Sequence, residues 1–265
     1  MSTVLFWFRN DLRLHDQPAL RAALTSGAAH LLPVVCLPAP DESTPWGFAR
    51  VGAHRRAFTA AALRGLQGQM SALGNPLLIC QAPPATALPQ LAKAVGATTV
   101  VCEDIAAPYE QAEVAALRAA GLQVRTVWQS SLLSPTRMPW SVDQLPGVFT
   151  SFRQKVERAG ITPAAPMPAP TQLLPPPDVP APVLQAVGAE QGAASIQLPA
   201  PPQGSDARSS FPYGTPGCDG SEAAALAHLA QYLARKLPHS YKATRNGLTG
   251  LDYSSKSRPG WLPAR

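Results

Sequence analysis

The first 130 residues predict an α/β fold, a Rossmann-like parallel sheet of five strands with helices on both faces. Three observations carry that prediction. Short, uniformly apolar runs recur about every 25–30 residues, the spacing of βαβ units. The stretches between them set apolar residues at helical spacing. Glycines close the helical stretches at Gly27, Gly74 and Gly121.

Residues 4–8 (VLFWF) are apolar on both faces, the signature of a strand buried between helix layers. A polar loop follows at 9–16. Pro18 then opens a helix over 19–24, because its fixed φ suits the first helical turn. Residues 30–37 (HLLPVVCL) read as a second strand despite Pro33. The stretch 53–73 carries Ala57, Ala61, Leu63, Leu66, Met70 and Leu73 on one helical face, and Gly74 and Asn75 end it. A third strand at 77–80, a helix at 87–95, a fourth strand at 98–102, a helix at 110–120 and a fifth strand at 123–128 complete the pattern.

The chain has 265 residues, 46% hydrophobic and 14% charged, enough apolar residue for a packed core and too little charge for wholesale disorder. No run approaches the roughly 18 apolar residues of a membrane span. The opening residues run straight into Arg9, Asp11 and Arg13, with no apolar core of a signal peptide. Cys36, Cys80, Cys102 and Cys218 are widely spaced, without a CxxC pair, and suit reduced thiols. These features predict a soluble, cytoplasmic protein.

The net charge of +6 has a definite place. Lys/Arg and Asp/Glu cancel over residues 1–234. The excess lies in residues 235–265, where Arg235, Lys236, Lys242, Arg245, Lys256, Arg258 and Arg265 face Asp252 alone. Such a series suits phosphates of a nucleic acid or a nucleotide cofactor, or else a solvated end. Between 162 and 216 the character changes. Prolines cluster there, charged residues are few, and periodicity is lost, which predicts an extended connector that wraps or bridges domains. Asp219, Ser221 and Glu222 then mark a helix start, with Leu226, Leu229, Tyr232 and Leu233 on one face of a helix at 223–237. The expected division is an α/β domain at 1–137, a connector at 138–217 that is Pro-rich from 162, and the beginning of a helical domain at 218–265.

Familiar catalytic signatures are absent: no GxxxxGK[ST] phosphate loop, no GxGxxG after the first strand, no HExxH and no GxSxG. Ligands of open parallel sheets bind beyond the carboxyl ends of the strands, where the loop at 9–16 (RNDLRLHD) lies. That loop is either a ligand contact or a segment braced by its own Arg–Asp pairs. His15 and His54 have no partners at metal-ligand spacing.

Residues 6–20 (FWFRNDLRLHDQPAL) closely resemble the opening of the DNA photolyase/cryptochrome family. Further blocks agree in order: 52–58 (GAHRRAF), 145–157 (LPGVFTSFRQKVE), 220–226 (GSEAAAL) and 239–248 (HSYKATRNGL). The last block, with 251–256 (LDYSSK), is similar to the DASH cryptochrome branch. The resemblance implies a light-driven flavoprotein. In the family, reduced FAD donates an electron to a cyclobutane pyrimidine dimer flipped out of the DNA stack. The DASH branch favours single-stranded DNA and also serves as a photoreceptor.

Carried over position by position, the resemblance assigns Tyr241 to an FAD contact. It assigns Ser254, Ser255 and Lys256 to the turn that holds the FAD pyrophosphate, and Arg245 to the DNA backbone. Small hydroxyl residues let backbone N–H groups approach phosphate oxygens, and a lysine neutralises them. A methenyltetrahydrofolate antenna is the second cofactor the family implies. Aligned through Pro108, Tyr109 and Glu110, its carboxylate position falls on Ile105, with Glu103 and Asp104 nearby, which counts against antenna binding.

The match breaks off after Lys256, where the chain reads SRPGWLPAR. The expectation is a protein truncated early in its FAD-binding domain, with no catalytic residue of its own and no repair activity alone. The alternative is a non-catalytic α/β module whose basic tail binds nucleic acid.

Overall fold

Residues 2–39, 42–189 and 220–244 are described in a computed structural model. Five parallel strands form one sheet: β1 (Thr3–Phe8), β2 (His30–Cys36), β3 (Leu78–Cys80), β4 (Thr99–Asp104) and β5 (Gln123–Trp128). Their spatial order is β3-β2-β1-β4-β5, so β1 is central and the chain crosses over between β3 and β4. The connecting helices are α1 (Pro18–Leu24), α2 (Ala53–Ala72), α3 (Pro84–Ala94) and α4 (Pro108–Ala119). The expected fold class is the observed one, and no helix among the described residues is long and apolar enough to cross a membrane.

Burial explains the uniformly apolar first strand. Leu5 and Trp7 enter a core beneath α3 and α4 with Leu88, Leu91 and Leu117. Val4, Phe6 and Phe8 enter the opposite core beneath α1 and α2 with Leu20, Leu63 and Met70. Each large side chain so buried contributes about 1.5–3 kcal/mol. Phe6 and Phe8 also meet edge to face, with ring centroids 4.6 Å apart.

Pro33 fits β2 for a reason visible in the hydrogen bonds. Neighbouring residues of a strand direct their N–H groups to opposite sides. Leu31 N–H donates to the Pro175 carbonyl and Leu37 N–H to the Cys80 carbonyl, both on the side away from β1. Pro33 belongs to that alternate series. Its ring faces the stretch before β3 begins, since the β2–β3 register starts at Val34 and Leu78. No ladder bond is lost there.

Beyond β5 the connector is less uniform than its proline content suggests. It contains α5 (Phe149–Arg158) and α6 (Ala181–Ala186), neither of which the sequence pattern identifies. Between them the chain wraps the sheet edge as a strap. Leu173 is buried in the α1/α2 core, while Val187 and Ala189 are buried in the α3/α4 core. Asn75 Nδ2 holds the strap by donating to the Leu31 and Leu174 carbonyls, both at 2.8 Å. At the far end, Gly188 adopts φ +60° and lies so close to Gln81 that a Cβ would approach its side chain at 3.0 Å.

The expected helix at 223–237 is two helices, α7 (Glu222–Ala234) and α8 (Leu237–Thr244), separated at Lys236, whose φ is +54°. Leu226, Leu229 and Tyr232 of the expected face of α7 are half-buried. Glu222 and Ala225 are its buried residues, whereas Leu233 is 56% exposed.

Candidate functional site

All five strands point the same way, so the loops after β1, β4 and β5 gather at one edge of the sheet. Their charged groups are satisfied largely by one another. The Arg9 guanidinium pairs with Glu113 at 2.7 Å and donates to the carbonyls of Glu110 at 2.8 Å and Glu103 at 3.3 Å. It also lies 4.5 Å from the Trp7 ring centroid. With its side chain 3% exposed, Arg9 fastens β1 to β4 and α4.

Beside it, Asp11 Oδ2 pairs with Arg13 Nε at 3.2 Å and accepts from Gln129 Nε2 at 3.0 Å. Arg13 turns back on its own loop and donates to the Asp16 carbonyl at 2.7 Å. Gln129 in turn accepts the Ala19 N–H at 3.0 Å, which joins the end of β5 to the start of α1. Ser130 Oγ donates to Glu103 Oε1 at 2.9 Å. Asp11 Oδ1 is buried with no hydrogen-bond partner among the described residues. Burial pushes the Asp11 carboxyl up to about 7, against the opposing pull of Arg13, with Glu103 adding to the rise. Burial likewise raises Glu113 from its ordinary value despite its contact with Arg9. Within loop 9–16, Arg13 makes the local pairs with Asp11 and Asp16, while Arg9 takes its carboxylate partner from α4.

A second element is attached to this loop from far along the chain. The buried Glu222 carboxylate accepts the Leu14 N–H at 3.0 Å and the His15 N–H at 2.7 Å. Ser221 caps the same helix by accepting the Ala224 N–H at 3.2 Å. The entry to α7 is tight: Gly220, at φ +85°, leaves only 3.2 Å between a would-be Cβ and the Phe58 ring, and one at Gly65 would meet Ser221 Cβ at 3.0 Å. In the sequence, Glu222 is marked only as a helix-start residue. Its position in the first turn accounts for an acid there, and nothing local reveals that its partners lie more than two hundred residues earlier.

Of the residues assigned to cofactor and DNA contacts, Tyr241 lies on α8 and is 47% exposed. Arg245, Ser254, Ser255 and Lys256 lie outside the described residues. One exposed tyrosine does not enclose a flavin, so the described residues by themselves do not fit that group, and no chemical step is derived through it. At the antenna position Ile105 is buried, 2% exposed. Glu103 is held by Ser130, and Asp104 Oδ1 accepts from Gln111 Nε2 at 3.0 Å.

A family model, DNA photolyase, matches residues 4–171. The chain belongs to the DNA photolyase family. Its relatives there include cryptochrome DASH of Synechocystis, 36% identical over 98% of this chain and 51% of the relative. Cryptochrome DASH of Xenopus laevis is 32% identical over 98% of this chain and 48% of the relative. The crystal structure of a Synechocystis cryptochrome superposes with a TM-score of 0.78 at 34% identity, covering 97% of this chain and 51% of that one. A class III photolyase from Agrobacterium tumefaciens superposes with a TM-score of 0.71 at 26% identity, over 99% of this chain and 51% of the other. The chain thus spans about half the length of the curated relatives it matches. The crystal structure of an archaeal photolyase from Sulfolobus tokodaii, which contains two FAD molecules, superposes with a TM-score of 0.53 at 18% identity over 67% of this chain. The ordered blocks that resemble the family are borne out as a family relationship, and its DASH-type relatives agree with the branch those blocks indicate.

Proposed function

We propose that this chain forms the α/β half and the first helices of the flavin-binding half of a DASH-type cryptochrome/photolyase. The activity in question is light-driven, FAD-dependent reversal of cyclobutane pyrimidine dimers in single-stranded DNA, or blue-light reception. The division at 1–137, 138–217 and 218–265 belongs to the same reading. So does a cytoplasmic location, in keeping with Cys36, Cys80 and Cys102 as free thiols.

The observation that carries the reading is the match along nearly the whole chain to one half of each DASH relative. The attachment of α7 to loop 9–16 through Glu222 supports it, because it fixes where a helical half begins relative to the sheet. Tyr241, Ser254, Ser255 and Lys256 are the proposed FAD contacts and Arg245 the proposed DNA contact. Residues 1–265 by themselves, in this reading, retain neither a flavin nor an antenna and do not repair DNA. No side chain at the sheet edge is proposed as catalytic.

The visible absorption spectrum of the purified, dialysed chain tests this. A colourless protein is expected. A flavin band near stoichiometry would overturn the proposed inactivity, and a light-dependent repair assay on a dimer-containing single strand would then show whether the flavin is productive.

A further inference from the structure

Cys36 ends β2 and Cys80 ends β3, and the parallel register sets the two residues opposite one another. Adjacent strands run about 4.8 Å apart, inside the Cα separation of about 4.4–6.8 Å that a disulfide spans. Registered residues of parallel strands also project to the same face, and both cysteines belong to the core beneath α3 and α4. Cys80 is fully buried, whereas Cys36 is partly exposed at the carboxyl edge. Hydrogen bonding with Cys80, together with burial, holds the Cys36 thiol well above its usual range. The Cys36 thiol is therefore slow to react, while the register keeps the two cysteines side by side.

We propose that Cys36 and Cys80 are a registered thiol pair that closes to a cross-strand disulfide under sustained exposure to hydrogen peroxide. Cys36, the more exposed residue of the two, attacks one oxygen of hydrogen peroxide. The O–O bond breaks, the other oxygen leaves as water with the Cys36 proton, and Cys36 becomes a sulfenic acid. Cys80 then attacks the Cys36 sulfur, an S–S bond forms, and the hydroxyl leaves as a second water with the Cys80 proton. Two thiols are oxidised and one peroxide is reduced. The bond ties the sheet's edge strand, only three residues long, to its neighbour. It also sits beside the strap, where Ala82 N–H donates to the Val187 carbonyl at 3.2 Å.

Trypsin separates the two residues, because Cys36 falls in the fragment 22–50 and Cys80 in 65–93. The full chain is treated with hydrogen peroxide, alkylated, digested without reduction and weighed. The expected product is 22–50 linked to 65–93, lighter by two hydrogens than the sum of the thiol fragments. In Cys80→Ala, Cys36 is expected to stop at the sulfenic acid and be trapped by dimedone. Cys36→Ala serves as the second variant, and there Cys80 is expected to stay alkylatable only after unfolding. The proposal is overturned if Cys36 proceeds to sulfinic acid in the unaltered chain. Linkage to Cys102 or Cys218 as often as to Cys80, or persistence of both thiols through the treatment, would overturn it too.

Discussion

Asp11 and Glu222 are both buried carboxylates at the sheet edge, and they differ in what they accept. Asp11 has one oxygen without a partner among the described residues, and burial raises it to about 7. A carboxylate raised in the folded state binds its proton more tightly there than in the unfolded chain. Its contribution favours folding at low pH and is lost as pH climbs from about 4 through about 7. The stability difference between the unaltered chain and Asp11→Asn should therefore shift by about 2–3 kcal/mol between pH 5 and pH 8. Urea unfolding at the two pH values checks this. An unchanged difference would mean that Asp11 is ionised throughout. Glu222 instead fills two backbone N–H groups. Glu222→Ala leaves both without an acceptor, at about 1–3 kcal/mol each. It should lower the melting temperature and open residues 220–244 to limited proteolysis, while Glu222→Gln, with one acceptor oxygen, should fall between. The site was only half legible in the sequence. Arg9, Asp11, Arg13 and Asp16 are close along the chain, so their mutual bracing could be weighed there. The partners Glu103, Glu113, Gln129 and Glu222 come from other elements, and long-range pairing leaves no periodicity to read.

Between elements, the strap shows why the fold was legible and its edge was not. Strands and helices of the sheet announce themselves because burial between two layers demands uniformly apolar runs and one-sided helices. The central strand β1 shows this most fully, with every residue of Thr3–Phe8 buried. The strap instead inserts single residues, Leu173, Val187 and Ala189, into two cores from a proline-rich background. An isolated buried leucine has no pattern. Helix α5 buries only Val156 and leaves Phe149 exposed, so it shows no core-facing stripe. Leu173→Ala should cost about 2–5 kcal/mol as a core truncation. Asn75→Ala should cost about 1–3 kcal/mol by leaving the Leu31 and Leu174 carbonyls unmet. If the strap completes the cores rather than resting on them, both variants should speed amide exchange at Leu31, whose N–H donates to Pro175. Destabilisation without faster exchange at Leu31 would place the loss elsewhere.

For the whole molecule, the informative quantity is where the charge lies. Residues 1–234 are neutral overall, although the α/β domain at 1–137 carries eleven Lys/Arg against eight Asp/Glu, and Arg9 and Arg13 at the sheet edge are turned inward. The excess begins at Arg235, and Lys242 is exposed on α8. Each phosphate contact on a single strand releases condensed counterions, so the logarithm of affinity falls by about 0.7 per decade of salt for each contact. If all seven basic residues of 235–265 took part, the slope would approach about −5. Arg245→Ala should reduce its magnitude by about 0.7 and weaken binding alike for all base sequences, and Lys242→Ala should do the same. Anisotropy of a labelled oligothymidylate across a salt series measures both, with melting temperature as the control for folding. A shallow slope indifferent to both substitutions would remove the basic series from the DNA-binding surface. A slope steeper than about −5 would bring in exposed basic residues outside 235–265, such as Arg55 and Arg64 on α2, since Arg9 and Arg13 are held inward by their carboxylate partners.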